Sequence, residues 1–164
     1  MTNDECRMTN DLRRMPWEEE FGGPFVVREE LPSSNGLVYD LEERTARFGE
    51  SVIGFLKEVP LSSRTNRLVD QLTGCGTSIG ANYVEADDAV SKKEFINVIG
   101  TCRKEARESM FFIRMIVKAC PEQRPRAISL WREANELHLI FSRIRRTAQE
   151  NLKAETAKPP RRRA

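Results

Sequence analysis

The sequence predicts an all-α protein: an antiparallel up-down-up-down four-helix bundle preceded by an irregular N-terminal extension over residues 1–37. Apolar residues recur at spacings of three and four in four separate stretches between residues 38 and 152, which is typical of amphipathic helices. Only a few residues separate these stretches, and short turns favour antiparallel neighbours. No stretch shows the alternating pattern of a strand. We therefore expect one bundle domain over residues 38–152, followed by a basic flexible tail over residues 153–164.

The first two helices are marked by polar caps and a proline. Asp40, followed by an acid at Glu43, predicts a helix over roughly residues 40–58, which Pro60 ends. Ser62 and Ser63 are candidate caps for the second helix, which is expected to end near Ala86. Its apolar stripe is Leu68, Leu72, Cys75, Ile79 and Tyr83.

The last two helices are longer, and a pair of prolines separates them. Ser91 and Glu94 form a capping-box pattern at the start of helix three. Its stripe is Phe95, Val98, Ile99, Cys102, Ala106, Ser109, Ile113 and Ile116. Pro121 and Pro125 predict the break into helix four. The stripe of helix four is Ala127, Trp131, Ala134, Leu137, Phe141, Ile144 and Ala148.

The N-terminal extension contains too much proline and glycine for a long helix. It carries Pro16, Gly22, Gly23, Pro24, Pro32 and Gly36. Met8 and Met15 are two alternative translation starts after Met1. A secretory signal and an apolar run long enough to span a bilayer are both missing from the sequence. We therefore expect a cytoplasmic protein with no membrane partner.

Charge is distributed unevenly along the chain, although the net charge is only +2. Residues 101–164 hold 16 basic and seven acidic side chains, a net +9, whereas residues 1–100 hold 11 basic and 18 acidic ones, a net −7. This asymmetry favours an anionic partner for the second half. Packing of oppositely charged halves of neighbouring copies explains it equally well.

The four cysteines are Cys6, Cys75, Cys102 and Cys120, and none belongs to a C-x-x-C pair. Cys75 and Cys102 fall on apolar stripes, where a free cysteine behaves as a small hydrophobic residue. We expect reduced structural thiols, with a regulatory disulfide as the alternative.

The residues needed for metal or nucleophilic chemistry are scarce. His138 is the single histidine, so the paired Glu-x-x-His motifs of di-iron bundles cannot be built. A half-buried packing residue is the favoured interpretation of His138. The sequence therefore predicts a protein that is not an enzyme, with no metal, no cofactor and no small-molecule substrate.

Glycines cluster in helix two, at Gly74, Gly76 and Gly80. The cluster lacks the spacing of a phosphate-binding loop and lies inside a helical pattern. Gly76 and Gly80 are better interpreted as a flat helix face that lets another helix, in this chain or in a second copy, approach closely.

Polar residues on the edges of helices two and three form a candidate network. Asn82 and Glu105 lie beside the apolar stripes, and polar groups near a core need partners. One interpretation is a network across the two helices, and the other is a set of boundary residues with local contacts only. The candidate set is Ser78, Asn82, Glu85, Glu105 and Glu108.

Basic residues are concentrated on helices three and four. Arg103, Arg107, Arg114 and Lys118 recur on one side of helix three, beside Lys104. Late in helix four, Arg143, Arg145 and Arg146 should approach them if the helices are antiparallel. A nucleic-acid surface, RNA or DNA, is one interpretation, and a solvated face is the other. Without aromatic residues among these cations, contacts should be chiefly to phosphates.

Three segments resemble the bacterial four-helix bundle proteins first noticed as reading frames within intervening sequences of 23S ribosomal RNA genes. They are Y-D-L-E-E-R-T from residue 39, T-S-I-G-A-N-Y-V-E-A from residue 77, and C-R-K-E-A-R-E from residue 102, with Phe95 between the last two. The resemblance covers roughly residues 38–152. Its motif positions here are Ser78, Asn82, Glu85, Phe95, Arg103, Glu105 and Glu108, which we interpret as structural or interface residues.

The resemblance implies an antiparallel bundle that assembles into a ring-like homopentamer. A related branch is the accessory protein of diversity-generating retroelements, which is similar in fold and binds nucleic acid and a reverse transcriptase through a basic surface. We therefore expect a homo-oligomer that binds nucleic acid. The alternative is a homo-oligomeric scaffold that binds a protein partner such as a reverse transcriptase.

Overall fold

A computed structural model describes residues 40–157, and all the statements that follow concern this part of the chain. It contains four α-helices, which we number in chain order, and a short 3₁₀ turn at Pro121–Gln123 before the last helix. The helices are α1 (Leu41–Leu56), α2 (Asn66–Asp87), α3 (Lys92–Ala119) and α4 (Arg124–Thr156). The predicted all-α four-helix fold is confirmed. The predicted extension over residues 1–37, Cys6 and the residues beyond 157 lie outside the described residues.

The contacts between helices fix an antiparallel order. Gly76 of α2 packs against Val52 of α1, whereas Gly80, one turn later in α2, packs against Thr45, which lies about two turns earlier in α1. In the same way, Lys92 at the start of α3 pairs with Glu155 at the end of α4. The contacts of α3 with α2 and α4 are extensive, and among the helices that pack side by side those between α1 and α4 are the sparsest. α3 is therefore the helix on which the bundle is organised.

Capping explains where α1 and α3 begin. The Asp40 carboxylate accepts a hydrogen bond from the Glu43 amide at 3.0 Å, which satisfies one of the free donors at the helix start. The Ser91 hydroxyl accepts one from the Glu94 amide at 3.2 Å. The Glu94 carboxylate reaches back to the Val90 amide at 3.0 Å. In the usual capping box the Glu94 carboxylate would accept from the amide of the cap residue, Ser91; here it accepts from the preceding amide, that of Val90.

The start of α2 differs from the sequence prediction. The Ser62 hydroxyl accepts from the Thr65 amide at 3.2 Å, but this closes a turn before the helix instead of capping it. Thr65 occupies the cap position, and its own hydroxyl donates to the Pro60 carbonyl at 2.6 Å. The helix therefore begins at Asn66, because the hydroxyl groups of Ser62 and Thr65 form hydrogen bonds within the turn that follows Pro60.

The far end of α4 extends further than the predicted start of the tail. The helix continues to Thr156, four residues beyond residue 152. Leu152 is half-buried, and the ion pair between Glu155 and Lys92 ties this last turn to the beginning of α3. Packing against α3 thus prolongs a segment whose sequence resembles a frayed terminus.

The core is built from the predicted stripes. The fully buried large side chains come from all four helices and belong to one core cluster, which includes Phe48, Val52, Leu72, Ile113 and Phe141. Early in α4 the buried position differs from the predicted stripe by one residue: Leu130 is buried, and Trp131, which the stripe contains, is only half-buried. Cys75, Cys102 and Cys120 are buried free thiols, and burial raises the pKa of Cys102 to about 12.

Candidate nucleic-acid interface

Arg103 of α3 and Arg145 of α4 lie where these two helices pack together. Arg145 of α4 lies over Gly100 of α3: a Cβ added at Gly100 would be 3.1 Å from Arg145 Nε. Arg103, one turn after Gly100, is half-buried at the same junction. Its carbonyl oxygen accepts a hydrogen bond, at 3.0 Å, from the His138 ring when Nδ1 carries the proton. The absence of a side chain at Gly100 is what lets the Arg145 side chain lie against α3.

The Nε atoms of Arg103 and Arg145 are buried, and neither has a hydrogen-bond partner within residues 40–157. Neither arginine forms an ion pair within this range either. Buried donors are nearly always satisfied in folded proteins, by protein, solvent or ligand. Arg103 and Arg145 are thus two cations at the α3–α4 junction that have no carboxylate partner within residues 40–157.

Arg44 shows what a paired arginine looks like in the same bundle. Its Nε and Nη2 atoms donate to the two carboxylate oxygens of Glu133 at 2.6 and 3.0 Å. Glu136 accepts a further bond from Nη2. These hydrogen bonds raise the pKa of Arg44 above its ordinary value, against the lowering effect of burial. This clamp between α1 and α4 was not predicted, because no local pattern joins residues that are 89 and 92 positions apart.

The two sides of α3 differ in charge. Arg107, Arg114 and Lys118 follow Arg103 at spacings that keep them on one side of α3. Glu105 and Glu108 lie on the side facing α2, where their charges help to raise the pKa of the Cys75 thiol, after the larger effect of burial. α3 thus separates a basic side from an acidic side.

The predicted approach of three late α4 arginines to α3 holds for one of them. Arg145 contacts α3 at Gly100. Arg143 lies two residues earlier, which is about 200° around the helix, and both Arg143 and Arg146 are exposed. We use the name basic seam for Arg103 and Arg145, which lie at the α3–α4 junction, together with Arg107, the exposed residue one turn after Arg103 on α3. Arg143 and Arg146 belong to a different face of α4.

Phe111 lies on the outer surface of α3, where sequence reasoning expected no aromatic residue among the cations. Its side chain is 54% exposed, and it lines an open groove with Lys104 and Arg107. Neither cation forms an ion pair within residues 40–157. The spacing of residues 104, 107 and 111 was the available signal, since it places all three on one helix face.

The candidate polar network of α2 and α3 is mostly local. The Asn82 side chain donates to the Ser78 carbonyl of its own helix at 2.7 Å. No hydrogen bond of the Glu105 side chain is found within the described residues, which favours the interpretation of Glu105 as a boundary residue. Burial, followed by the charge of Glu108, raises its pKa. Glu85 and Glu108 are exposed.

One polar contact does join α2 and α3, and it uses a residue outside the candidate network. The Ser109 hydroxyl lies 3.4 Å from Cys75 Sγ and donates to the Glu105 carbonyl at 2.9 Å. Ser109 is fully buried. The sequence places Ser109 on the apolar stripe of helix three. The small Ser109 side chain fits in the core because its hydroxyl donates to a carbonyl of its own helix.

The glycine face of α2 is occupied by α1 of the same chain. A Cβ at Gly76 would lie 2.8 Å from Val52 Cγ2, and one at Gly80 would lie 3.5 Å from Thr45 Oγ1. The predicted close approach is therefore present within the chain. It does not by itself indicate an interface between copies.

The described residues contain no group of three or more histidine, cysteine, aspartate or glutamate side chains that could hold a metal ion. Between residues 40 and 157, no helix combines the length and the apolar character needed to cross a membrane.

Comparison with known proteins gives a likeness in fold. No family model matches the sequence, and no curated protein matches it. The chain is similar to a solved protein of unknown function from the S23 ribosomal protein family of Bacteroides thetaiotaomicron, with 24% identity and a TM-score of 0.59. The match covers 63% of this chain and 96% of that chain. At this identity the likeness establishes a shared fold, and fold alone does not fix function.

Proposed function

We propose that this protein is a non-enzymatic, oligomeric four-helix bundle of the cytoplasm that binds nucleic acid, RNA in the first instance, through the basic seam. The observation that carries the proposal is the junction of Arg103 and Arg145, whose buried Nε donors have no acceptor within residues 40–157. A phosphate supplies the acceptor oxygens that the two guanidinium groups need.

The basic seam favours a phosphate backbone over an isolated anion because it continues along α3. Arg107 extends the positive charge by one turn, and the net +9 of residues 101–164 raises the local concentration of any polyanion. Contacts of this kind read the backbone and not the bases, so binding should be largely independent of sequence. It should also weaken steeply as salt is raised.

The test is fluorescence anisotropy with mixed-sequence RNA and with duplex DNA over a series of salt concentrations. The double variant Arg103→Gln and Arg145→Gln should bind more weakly on every sequence. Its log–log salt slope should fall by about two, since each lost phosphate contact removes about one unit. Reversal of Arg103 and Arg107 to Glu should weaken binding further.

The matched control is the double variant Arg64→Gln and Arg67→Gln, which removes the same charge from exposed positions near the start of α2. It should keep nearly the full affinity and salt slope. Thermal melting should show that both double variants remain folded. An equal loss in the two double variants would reduce the effect to net charge and refute a site at the basic seam.

We further propose that the chain belongs to the 23S intervening-sequence protein family and forms a homopentamer. The segments from residues 39, 77 and 102 support this placement, and so does the fold shared with the Bacteroides protein. Light scattering at micromolar concentration and physiological salt should give five times the mass of the chain. A monomer would contradict the oligomer.

A homo-oligomeric scaffold for a protein partner, such as a reverse transcriptase, is the second candidate. The observation in its favour is an open groove between α1 and α4, where the contacts between helices are sparsest. Phe48 and Phe55 line its floor, with Arg126 and Glu133 at its rim. A protein that forms oligomers but binds no RNA or DNA at low salt would favour this candidate.

A further inference from the structure

The outer face of α3 combines an aromatic ring with two cations. Phe111 is 54% exposed although it follows Met110 in a strongly apolar run. Its ring packs edge-on against Phe112, with centroids 5.2 Å apart and planes at 80°. Phe112 is half-buried, so it anchors its neighbour while the Phe111 ring remains open to solvent. An aromatic ring held in this way presents a fixed, flat surface.

The groove around this ring suits one kind of occupant. Lys104 and Arg107 line it, and Gln71 of α2 adds an amide that can donate and accept hydrogen bonds. Glu108 stands on the α2 side of the groove and opposes the cations in part. Positive charge next to an exposed ring is the combination that binds an unpaired base together with its flanking phosphates.

We propose that Phe111 is a stacking platform for an unpaired base, and that Lys104 and Arg107 hold the phosphates on either side of it. The inference rests on the proposed nucleic-acid binding and narrows it to single strands. A base in a duplex is stacked on its neighbours and cannot lie on the ring. The protein should therefore prefer single-stranded RNA to a duplex of the same length.

The experiment measures anisotropy of the full chain with a fluorescein-labelled 20-nucleotide oligo(U) and with a 20-base-pair RNA duplex. Phe111→Leu keeps an apolar side chain but removes the aromatic face. It should weaken oligo(U) binding about fivefold or more, as expected for the loss of one stacked base. Duplex binding should change less than about twofold, because phosphate contacts do not involve the ring. Phe111→Trp should retain or strengthen oligo(U) binding.

Two further variants separate stacking from charge and from general surface effects. Lys104→Gln with Arg107→Gln should weaken both ligands, because both ligands carry phosphates. Leu61→Ala removes an apolar side chain that is 73% exposed and is not among the residues that line this groove. It should leave both affinities unchanged.

The outcomes distinguish this inference from the proposed function. If the basic-seam variants lose affinity while Phe111→Leu binds oligo(U) as the wild type does, the stacking platform is refuted and nucleic-acid binding stands. If the wild type binds neither ligand at low salt, the proposed function fails first. A change of oligomer mass in Phe111→Leu would place the ring between copies of the chain and refute the platform.

Discussion

Arg145 of α4 lies across Gly100 of α3, with the Arg145 Nε atom 3.1 Å from the point where a Cβ of residue 100 would be. The glycine and the arginine thus form one unit: the missing side chain makes the space that the guanidinium group enters. This relationship holds Arg145 at the α3–α4 junction, and it gives a direct way to displace Arg145 without removing a charge.

Replacement of Gly100 by Ala should lower RNA affinity by about threefold or more, because the new methyl group pushes Arg145 away from the seam. The unfolding temperature should stay the same or rise, since alanine is favoured over glycine in a helix by about 1 kcal/mol and the arginine side chain can move. Anisotropy and thermal melting measure the two effects. An unchanged affinity would show that the position of Arg145 does not matter for binding.

The glycines of α2 should respond in opposite ways to alanine. Gly76→Ala should lower the free energy of unfolding by about 1–3 kcal/mol, because its Cβ would lie 2.8 Å from Val52 Cγ2 in a packed core. A Cβ added at Gly74 would have nothing within 4 Å, so Gly74→Ala should raise the free energy of unfolding by up to about 1 kcal/mol. Urea denaturation of both variants measures these changes. Two changes of the same sign would contradict the prediction.

The clamp at Arg44 should contribute measurably to stability. Arg44→Met leaves Glu133 and Glu136 without their shared partner and should lower the free energy of unfolding by about 1–2 kcal/mol. Arg47→Met breaks an exposed pair with Glu43 on the same helix and should cost less than about 0.5 kcal/mol. Urea denaturation at low and high salt compares them. Equal losses would mean that the clamp adds nothing beyond a surface pair.

Alkaline pH should destabilise the bundle through Cys102. Its pKa is raised from 9.0 to about 12 by burial, so the folded state keeps the thiol protonated while the unfolded state loses the proton. The stability that this group contributes is complete below about pH 9 and is lost as pH rises toward 12.

The measurement is the free energy of unfolding of the wild type and of Cys102→Ala at about pH 7.5 and pH 10.5. Lysines and tyrosines titrate in both proteins, so the difference between the two isolates Cys102. The wild type should lose more stability than the variant between these pH values. Identical losses would show that the thiol does not contribute.

The number, order and approximate bounds of the helices could be predicted from the sequence. Apolar spacing and the caps at Asp40 and Ser91 are local signals, and hydrogen bonds within three or four residues enforce them. The start of α2 was misplaced because Thr65 turns its hydroxyl back to Pro60, five residues away. Such a turn competes with capping and leaves no distinct mark in the sequence.

The four amphipathic helices and the concentration of basic residues late in the chain follow from the sequence alone, since periodicity and composition are properties of neighbouring residues. Which side chains meet depends on the tertiary fold. In the folded chain Gly100 contacts Arg145, and Gly76 packs against Val52 of the same chain. Phe111 is exposed, whereas Phe112 is half-buried. These choices depend on the rotation and register of one helix against the next, which packing of the whole core fixes at once.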